Sequence, residues 1–243
     1  MKSRGVAKPI VLLLLGTLLL GITAFLVYAS LPYPAETGPL ETAKSDTSFT
    51  YTETLDGIVL TPKSGTGDGL VFLPGAHVAA EAYAAKLSGL AEAGVTVVIA
   101  RPILNFAILD YRPLSTFEDL APNVDRWFVG GHSLGGVRAC LYATDGRVAG
   151  LALFGSYCST DLSSTGLAVV SISGSKDGLS TPAKIADAKH LLPQDATFVE
   201  IPGANHAQFG DYGGQPGDGT SETKDSGVRY QITQAVLALI NQG

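Results

Sequence analysis

Hydrophobic residues along this chain form short runs that alternate with segments of helical periodicity. The runs are largely apolar and four to seven residues long, which is typical of strands buried on both faces of a sheet. They cover residues 70–73, 95–100, 124–129, 148–154, 168–173 and 197–201. Apolar residues with helical spacing predict helices at residues 78–93, 137–144, 183–191 and 227–241. This alternation predicts an α/β fold, with a mostly parallel central sheet and helices on both faces.

The chain enters this pattern through a hairpin. Residues 50–61 alternate between apolar and polar side chains, and Asp56-Gly57 in their middle is a typical hairpin turn. We therefore expect an antiparallel start to the sheet. Residues 101–122 are less regular and are interrupted by three prolines, so any helix there should be short.

The N-terminus has a different character. Residues 10–29 carry no charge and, as a helix, reach about 30 Å, which is enough to cross a bilayer. Lys2, Arg4 and Lys8 precede this run and should stay in the cytoplasm, which would put the rest of the chain outside. The pattern predicts an uncleaved, single-pass signal anchor. A cleaved signal peptide, with secretion of the remainder, is the alternative, although the run is longer than the usual signal core.

The chain is thus expected to have four parts. They are a basic cytoplasmic segment at residues 1–9, a transmembrane helix at 10–29, a stalk at 30–46 and an α/β domain at 47–243. The region around the stalk is rich in Pro, Thr, Ser and Glu, a composition that predicts flexibility.

Composition argues against two classes of partner. The net charge is −6 with scattered basic residues, so nucleic acid is not expected as a partner. The four histidines lack the H-E-x-x-H spacing and no C-x-x-C is present, so we expect no metal and no cofactor. Cys140 and Cys158 could form one disulfide outside the cell. Their positions, one along a helix and one beyond a strand end, favour two unpaired buried side chains instead.

The most informative motif follows the strand at residues 124–129. Gly131-His132-Ser133-Leu134-Gly135 lies between a predicted strand and a predicted helix, the context that a nucleophile elbow requires. A serine at the apex of such a tight turn adopts a strained backbone conformation, and bulky residues two positions before or after it would not fit. Ser133 is therefore the candidate nucleophile.

An acid and a base follow in chain order, each in a loop after a predicted strand. A serine hydroxyl attacks a carbonyl only when a base removes its proton, and a histidine does this well when a carboxylate orients it. His206 is the candidate base and Asp177 the candidate acid. In parallel sheets such loops meet beyond the carboxyl ends of the strands.

Five other residues could compete for these roles. Asp161 is the second-choice acid, and His77 is expected to be a polar residue at the rim of the site. His132 is expected to serve packing, His190 to lie in solvent on a helix face, and Asp211 to order its loop.

The oxyanion formed during acyl transfer needs two backbone N–H donors. We expect one from Leu134, directly after the nucleophile, and the other from Ala76 in the loop after the strand at residues 70–73.

This elbow, with Asp177 and His206 after it, resembles the α/β-hydrolase superfamily. The segment Leu73-Pro74-Gly75-Ala76, the glycine-rich residues 130–136 and Gly203-Ala204-Asn205-His206 resemble the small bacterial fold-5 α/β-hydrolases. The resemblance covers residue 49 to the C-terminus and ranks Asp177 above Asp161. The related dienelactone hydrolases use a cysteine nucleophile where this chain has Ser133, which counts against that substrate. The usual His-Gly pair of the oxyanion loop is Pro74-Gly75 here.

The resulting hypothesis is a serine hydrolase that cleaves small-molecule carboxylic esters through an acyl-enzyme. Thioesterase, lipase and peptidase activities use the same triad, and cofactor-free peroxidase chemistry shares it. A catalytically silent binding module is the alternative from a different class, although an intact Ser-Asp-His set argues against it. The link between the strands at residues 148–154 and 168–173 is too short for a large cap domain. We therefore expect an open, shallow cleft suited to small or water-accessible esters.

Overall fold

The computed structural model describes residues 7–242, and its centre is one eight-stranded sheet. The strand order is β1-β2-β4-β3-β5-β6-β7-β8. Strands β1 and β2 pair antiparallel, β2 pairs antiparallel with β4, and all later neighbours are parallel. The predicted hairpin entry and the mostly parallel sheet are confirmed. The strands are β1 Phe49–Glu53, β2 Gly57–Pro62, β3 Asp68–Leu73, β4 Thr96–Ala100, β5 Arg126–His132, β6 Gly150–Phe154, β7 Ala168–Gly174 and β8 Thr197–Ile201.

Helices cover both faces of this sheet. They are α1 Ala7–Ala29, α2 Thr37–Ser45, α3 Ala84–Glu92, α4 Ser115–Glu118, α5 Leu134–Tyr142, α6 Pro182–Asp187 and α7 Asp225–Gln242. Short 3-10 turns lie at Ala80–Tyr83, Ile103–Asn105, Ala107–Leu109, Lys189–Leu191 and Ala207–Phe209. The irregular residues 101–122 hold only two such turns and the four-residue α4, as their prolines predict.

Alternation along the buried strands creates two hydrophobic cores. In β3, Leu70 and Phe72 point to one face, whereas Val71 and Leu73 point to the other. The first face packs against α3 and α7, and the second packs against α4 and α5. Because both faces are covered, the central strands are apolar without interruption, which is the pattern that the sequence shows.

Helix α1 is long and apolar enough to cross a membrane, and its leucines are exposed. A signal sequence passes the same test of length and composition. Lys2 and Arg4, on which the predicted orientation depends, lie outside the described residues.

The segment between α1 and the sheet differs from the expected flexible stalk. Residues 37–45 form α2, which packs against α3. Tyr33 forms a β-bridge to Val78, and Leu40 and Ala43 pack on the hydrophobic core. The Pro- and Thr-rich composition does not indicate these few apolar contacts, which hold the segment against the domain.

The expectation of two unpaired cysteines was wrong. Cys140 in α5 and Cys158 beyond β6 form a disulfide, with their Cα atoms 5.7 Å apart. Helix α5 packs against β6, so that its buried face meets the loop that leaves this strand. The bridge therefore joins the helix that follows Ser133 to the next loop at the same edge of the sheet.

We predict that replacing both cysteines, Cys140→Ala with Cys158→Ala, lowers the free energy of unfolding by about 3 kcal/mol. The reason is that the unfolded chain is no longer restricted by a bridge between two residues 18 positions apart. Urea denaturation of the two proteins measures the difference. Dithiothreitol should destabilise the wild type by a similar amount and leave the double variant unchanged. An unfolding midpoint of the wild type that does not respond to reduction would contradict the assignment.

Candidate active site

Ser133 occupies a strained turn between β5 and α5. Its φ of 52° and ψ of −124° lie in a region that residues with a side chain rarely adopt. Four hydrogen bonds hold it there. Ser133 N–H donates to Phe154 O (3.1 Å), while Ser133 O accepts from Gly136 N–H (3.0 Å), from Val137 N–H (3.3 Å) and from Ser156 Oγ (2.7 Å). The surrounding structure therefore fixes the conformation and leaves the serine side chain half-buried at the sheet edge.

The glycines on either side are required by space. A Cβ at Gly135 would overlap the carbonyl oxygens of Leu73 and Pro74. A Cβ at Gly131 would overlap the backbone of Gly135. The turn thus brings the start of α5 into direct contact with the loop after β3.

Asp177 and His206 form a buried pair at the same edge. Asp177 follows β7, His206 follows β8, and His206 Nδ1 lies 2.7 Å from Asp177 Oδ2. Their side chains are 0% and 1% exposed. The other carboxylate oxygen accepts N–H donors from Leu179 (2.8 Å) and Ser180 (2.7 Å). Because a carboxylate only accepts, Nδ1 carries the hydrogen of the pair and Nε2 is left to act as a base.

One further side chain orders both loops and was missed by the sequence reasoning. The carboxylate of Asp218 accepts the backbone N–H groups of His206 (3.0 Å), Ala207 (2.9 Å) and Gly178 (3.1 Å). It therefore ties the loop of the candidate acid to that of the candidate base. The only sequence signal was an acidic residue between Gly217 and Gly219.

Ser133 and His206 are related through His132, and Ser133 forms no hydrogen bond to His206 in the described chain. The ring of His132, the residue before Ser133, lies 4.4 Å from the ring of His206. Within residues 7–242, the hydrogen bonds of these side chains do not include one from Ser133 Oγ to His206. Catalytic hydrogen bonds are often long before substrate binds and shorten in the complex.

The two expected oxyanion donors lie on adjoining segments. Within the described chain, neither Leu134 N–H nor Ala76 N–H donates to another backbone or side-chain group. Their neighbours are held in place. Gly75 N–H donates to Tyr83 Oη (2.9 Å), and His77 N–H donates to Asn105 O (2.7 Å). The loop is therefore rigid, with the N–H of Ala76 unused.

His132 links this loop to the candidate nucleophile, Ser133. Because Tyr83 Oη accepts from Gly75, its own hydrogen is available for His132 Nδ1, 2.8 Å away. Burial lowers the pKa of the His132 imidazole well below its ordinary value of 6.5, and the neighbouring His206 lowers it further. His132 is thus a neutral acceptor in the core, which is more than the expected packing role. Burial also raises the pKa of Tyr83, which keeps its hydroxyl protonated.

The competing candidates lie elsewhere. Asp161 is exposed and accepts the N–H of Ser163 (2.9 Å). His190 is exposed as expected, and Asp211 forms a buried ion pair with Lys86 (2.9 Å). His77 is not the polar rim residue that was expected, because it is buried against the end of α1. Within the part of the chain that the structure describes, no cluster of three or more His, Cys, Asp or Glu side chains could hold a metal.

Comparison with known proteins agrees with this architecture. A model of the alpha/beta hydrolase family matches residues 69–229, about two thirds of the chain. The solved structure of Est1E from Butyrivibrio proteoclasticus is similar with a TM-score of 0.54 and 13% identity, over 80% of this chain and 100% of that one. TT1662 from Thermus thermophilus gives 0.54 and 16%, over 80% and 97%.

A third similar structure is MGS-MChE2, an alpha/beta hydrolase enzyme from a sediment metagenome of the Mar Chica lagoon, Morocco. Its TM-score is 0.51 at 21% identity, over 65% of this chain and 90% of that one. At these identities the structural likeness shows the fold alone. No curated protein matches the chain.

We predict that His132 makes stability depend on pH. Below about pH 6.5 the unfolded chain protonates this imidazole whereas the native protein does not, so the free energy of unfolding falls as the pH falls, by up to about 1.4 kcal/mol per pH unit. His132→Gln keeps an acceptor for Tyr83 and should remove this part of the dependence. Urea unfolding between about pH 7 and pH 5 measures both proteins. Parallel pH dependences of the two would contradict the assignment.

Proposed function

The chain belongs to the alpha/beta hydrolase family, and we propose that it is a serine hydrolase that cleaves carboxylic esters. The observation that carries the proposal is the buried Asp177–His206 pair, 2.7 Å apart, at the sheet edge where the strained Ser133 projects. A carboxylate that orients a histidine beside such a serine is the arrangement that acyl transfer requires. Together with the adjoining N–H groups of Leu134 and Ala76, it accounts for each step of an acyl-enzyme mechanism.

In the first half of the reaction, Ser133 Oγ attacks the ester carbonyl while His206 Nε2 takes the hydroxyl proton. Asp177 holds the imidazole in the required tautomer and stabilises its charge. The N–H groups of Leu134 and Ala76 bind the oxyanion. The tetrahedral intermediate then collapses, the alcohol leaves with the proton from His206, and Ser133 retains the acyl group.

In the second half, water takes the place of the alcohol. His206 accepts a proton from water, which attacks the acyl-enzyme carbonyl, and the same N–H donors bind the new oxyanion. Collapse of this intermediate releases the carboxylic acid, and the proton returns to Ser133 Oγ. The reaction consumes one ester and one water and needs no other reactant.

We also propose that the enzyme is anchored by α1 with its domain outside the cytoplasm. Three observations support this: the length and apolar surface of α1, the packing of its last turn against the domain, and the Cys140–Cys158 disulfide. Disulfides persist in oxidising compartments, and a helix that is removed after export would not serve as a packing partner.

Substitution of the nucleophile is the direct test of the reaction. We predict that Ser133→Ala lowers kcat/KM for p-nitrophenyl acetate by at least about a thousandfold, because no covalent intermediate can form. Hydrolysis is measured by release of p-nitrophenol from the full chain, and far-ultraviolet circular dichroism checks folding. A folded Ser133→Ala variant with wild-type activity, or a folded wild type without activity, would overturn the proposal.

The two candidate acids provide a matched pair of variants. Asp177→Asn should lower kcat about ten-thousandfold, because the amide disfavours the tautomer of His206 that accepts the serine proton. Asp161→Asn makes the same chemical change at an exposed position and should leave kcat within about twofold. A larger loss from Asp161→Asn than from Asp177→Asn would reverse the assignment.

A further inference from the structure

The last turn of α1 packs on the loop that carries the candidate oxyanion donor. The ring of Tyr28 stacks on that of His77 with centroids 3.9 Å apart, and His77 Nε2 lies 2.7 Å from Tyr28 O. Asn105 Nδ2 donates to Ala29 O (2.9 Å), and Ala29 is fully buried. His77 directly follows Ala76, so the end of α1 lies one residue from the proposed site.

The connection between α1 and the domain is too short to let the two move apart. Only residues 30–32 separate the end of α1 from Tyr33, whose N–H donates to His77 O (2.8 Å) and whose O accepts from Ala79 N–H (3.0 Å). Three extended residues span at most about 11 Å. The domain is therefore held at a fixed place relative to the end of α1.

This geometry sets the depth of the site relative to a bilayer. If α1 spans the membrane, its last turn lies at the boundary between hydrocarbon and headgroups. The ring of Phe25, the residue just before that turn, lies 5.9 Å from the ring of Phe106. The 3-10 turns at Ile103–Asn105 and Ala107–Leu109 must then lie at the same boundary.

The surface of this segment is apolar. Ile103 is 48% exposed, Leu109 is 39% exposed and Tyr111 is 81% exposed. The first turn contacts α1 and the second contacts α5, the helix that follows Ser133. Exposed aliphatic residues beside a tyrosine suit a membrane interface better than water. We define Ile103, Leu109 and Tyr111 as the apolar rim.

We infer that the site opens onto the membrane surface and that its substrate is a carboxylic ester of a membrane-resident amphiphile, taken from the leaflet into which α1 emerges. This inference rests on the proposed ester hydrolysis and on the retained anchor, and it names the substrate class for that same site. It departs from the expectation of small or water-accessible esters. Such a substrate needs no cap over the site, since the bilayer supplies the apolar surroundings of the acyl chain.

A comparison of two substrates tests the inference. The full chain is reconstituted in phosphatidylcholine vesicles and assayed with 4-methylumbelliferyl oleate, which partitions into the bilayer, and with 4-methylumbelliferyl acetate, which stays in water. We expect Ile103→Ser with Leu109→Ser to lower the oleate-to-acetate rate ratio about tenfold, because two apolar side chains no longer enter the interface. Leu141→Ser, at a leucine that is also 39% exposed but in the last turn of α5, should change the ratio by less than about twofold.

The possible outcomes separate the two proposals. If the acetate is hydrolysed and the oleate-to-acetate rate ratio is the same in the rim variant, the control variant and the wild type, the membrane substrate is overturned. The proposed ester hydrolysis is then still supported. A folded wild type that hydrolyses neither ester would overturn both.

A second measurement locates the apolar rim without relying on activity. The wild type has a single tryptophan, Trp127. It lies near the start of β5, at the opposite end of this strand from Ser133. Tyr111→Trp adds a second in the rim. Vesicles that contain brominated phosphatidylcholine should quench the added emission and leave that of the wild type unchanged. Equal responses of the two proteins would contradict a membrane-facing rim.

Discussion

The architecture of the site depends on the strained backbone at Ser133. A positive φ at a serine is unfavourable by roughly 1–3 kcal/mol, and it persists here because Phe154, Gly136 and Ser156 bond to the backbone of this residue. The turn can form only where Gly135 lies against the carbonyl groups that end β3. The same close approach that forces the strain therefore also places the loop after β3, which carries the candidate oxyanion donor Ala76, beside the candidate nucleophile.

Two polar groups extend this order to the rest of the site. Asp218 accepts N–H donors from the loop of Asp177 and from the loop of His206, so that these two side chains keep their 2.7 Å contact. Tyr83 accepts the N–H of Gly75 and bonds to His132. Each buried hydrogen bond would leave a costly unsatisfied group if its partner moved. The site is thus held by a network fixed before any substrate arrives.

What could be predicted from the sequence was local in character. Strands, helices and the elbow follow from spacing and from glycine sterics within a few residues, and the structure agrees with them. The roles of Asp218 and Tyr83 depend on partners 12 and 49 residues away, which no local pattern indicates. Composition also misled where few residues decide the outcome. Tyr33 and Leu40 anchor a segment whose composition predicts a flexible stalk. The packing of α5 against β6 brings Cys140 within bonding distance of Cys158, although their positions in the sequence favour two unpaired side chains.

The proposed reaction requires that this preformed arrangement activates one serine. Treatment of the full chain with a fluorophosphonate probe, followed by mass mapping of the peptides, shows whether it does, since such probes modify only serines with raised nucleophilicity. We expect a single adduct on Ser133, formed much more slowly in His206→Ala. A folded protein that forms no adduct, or one that is modified at a different serine, would contradict it.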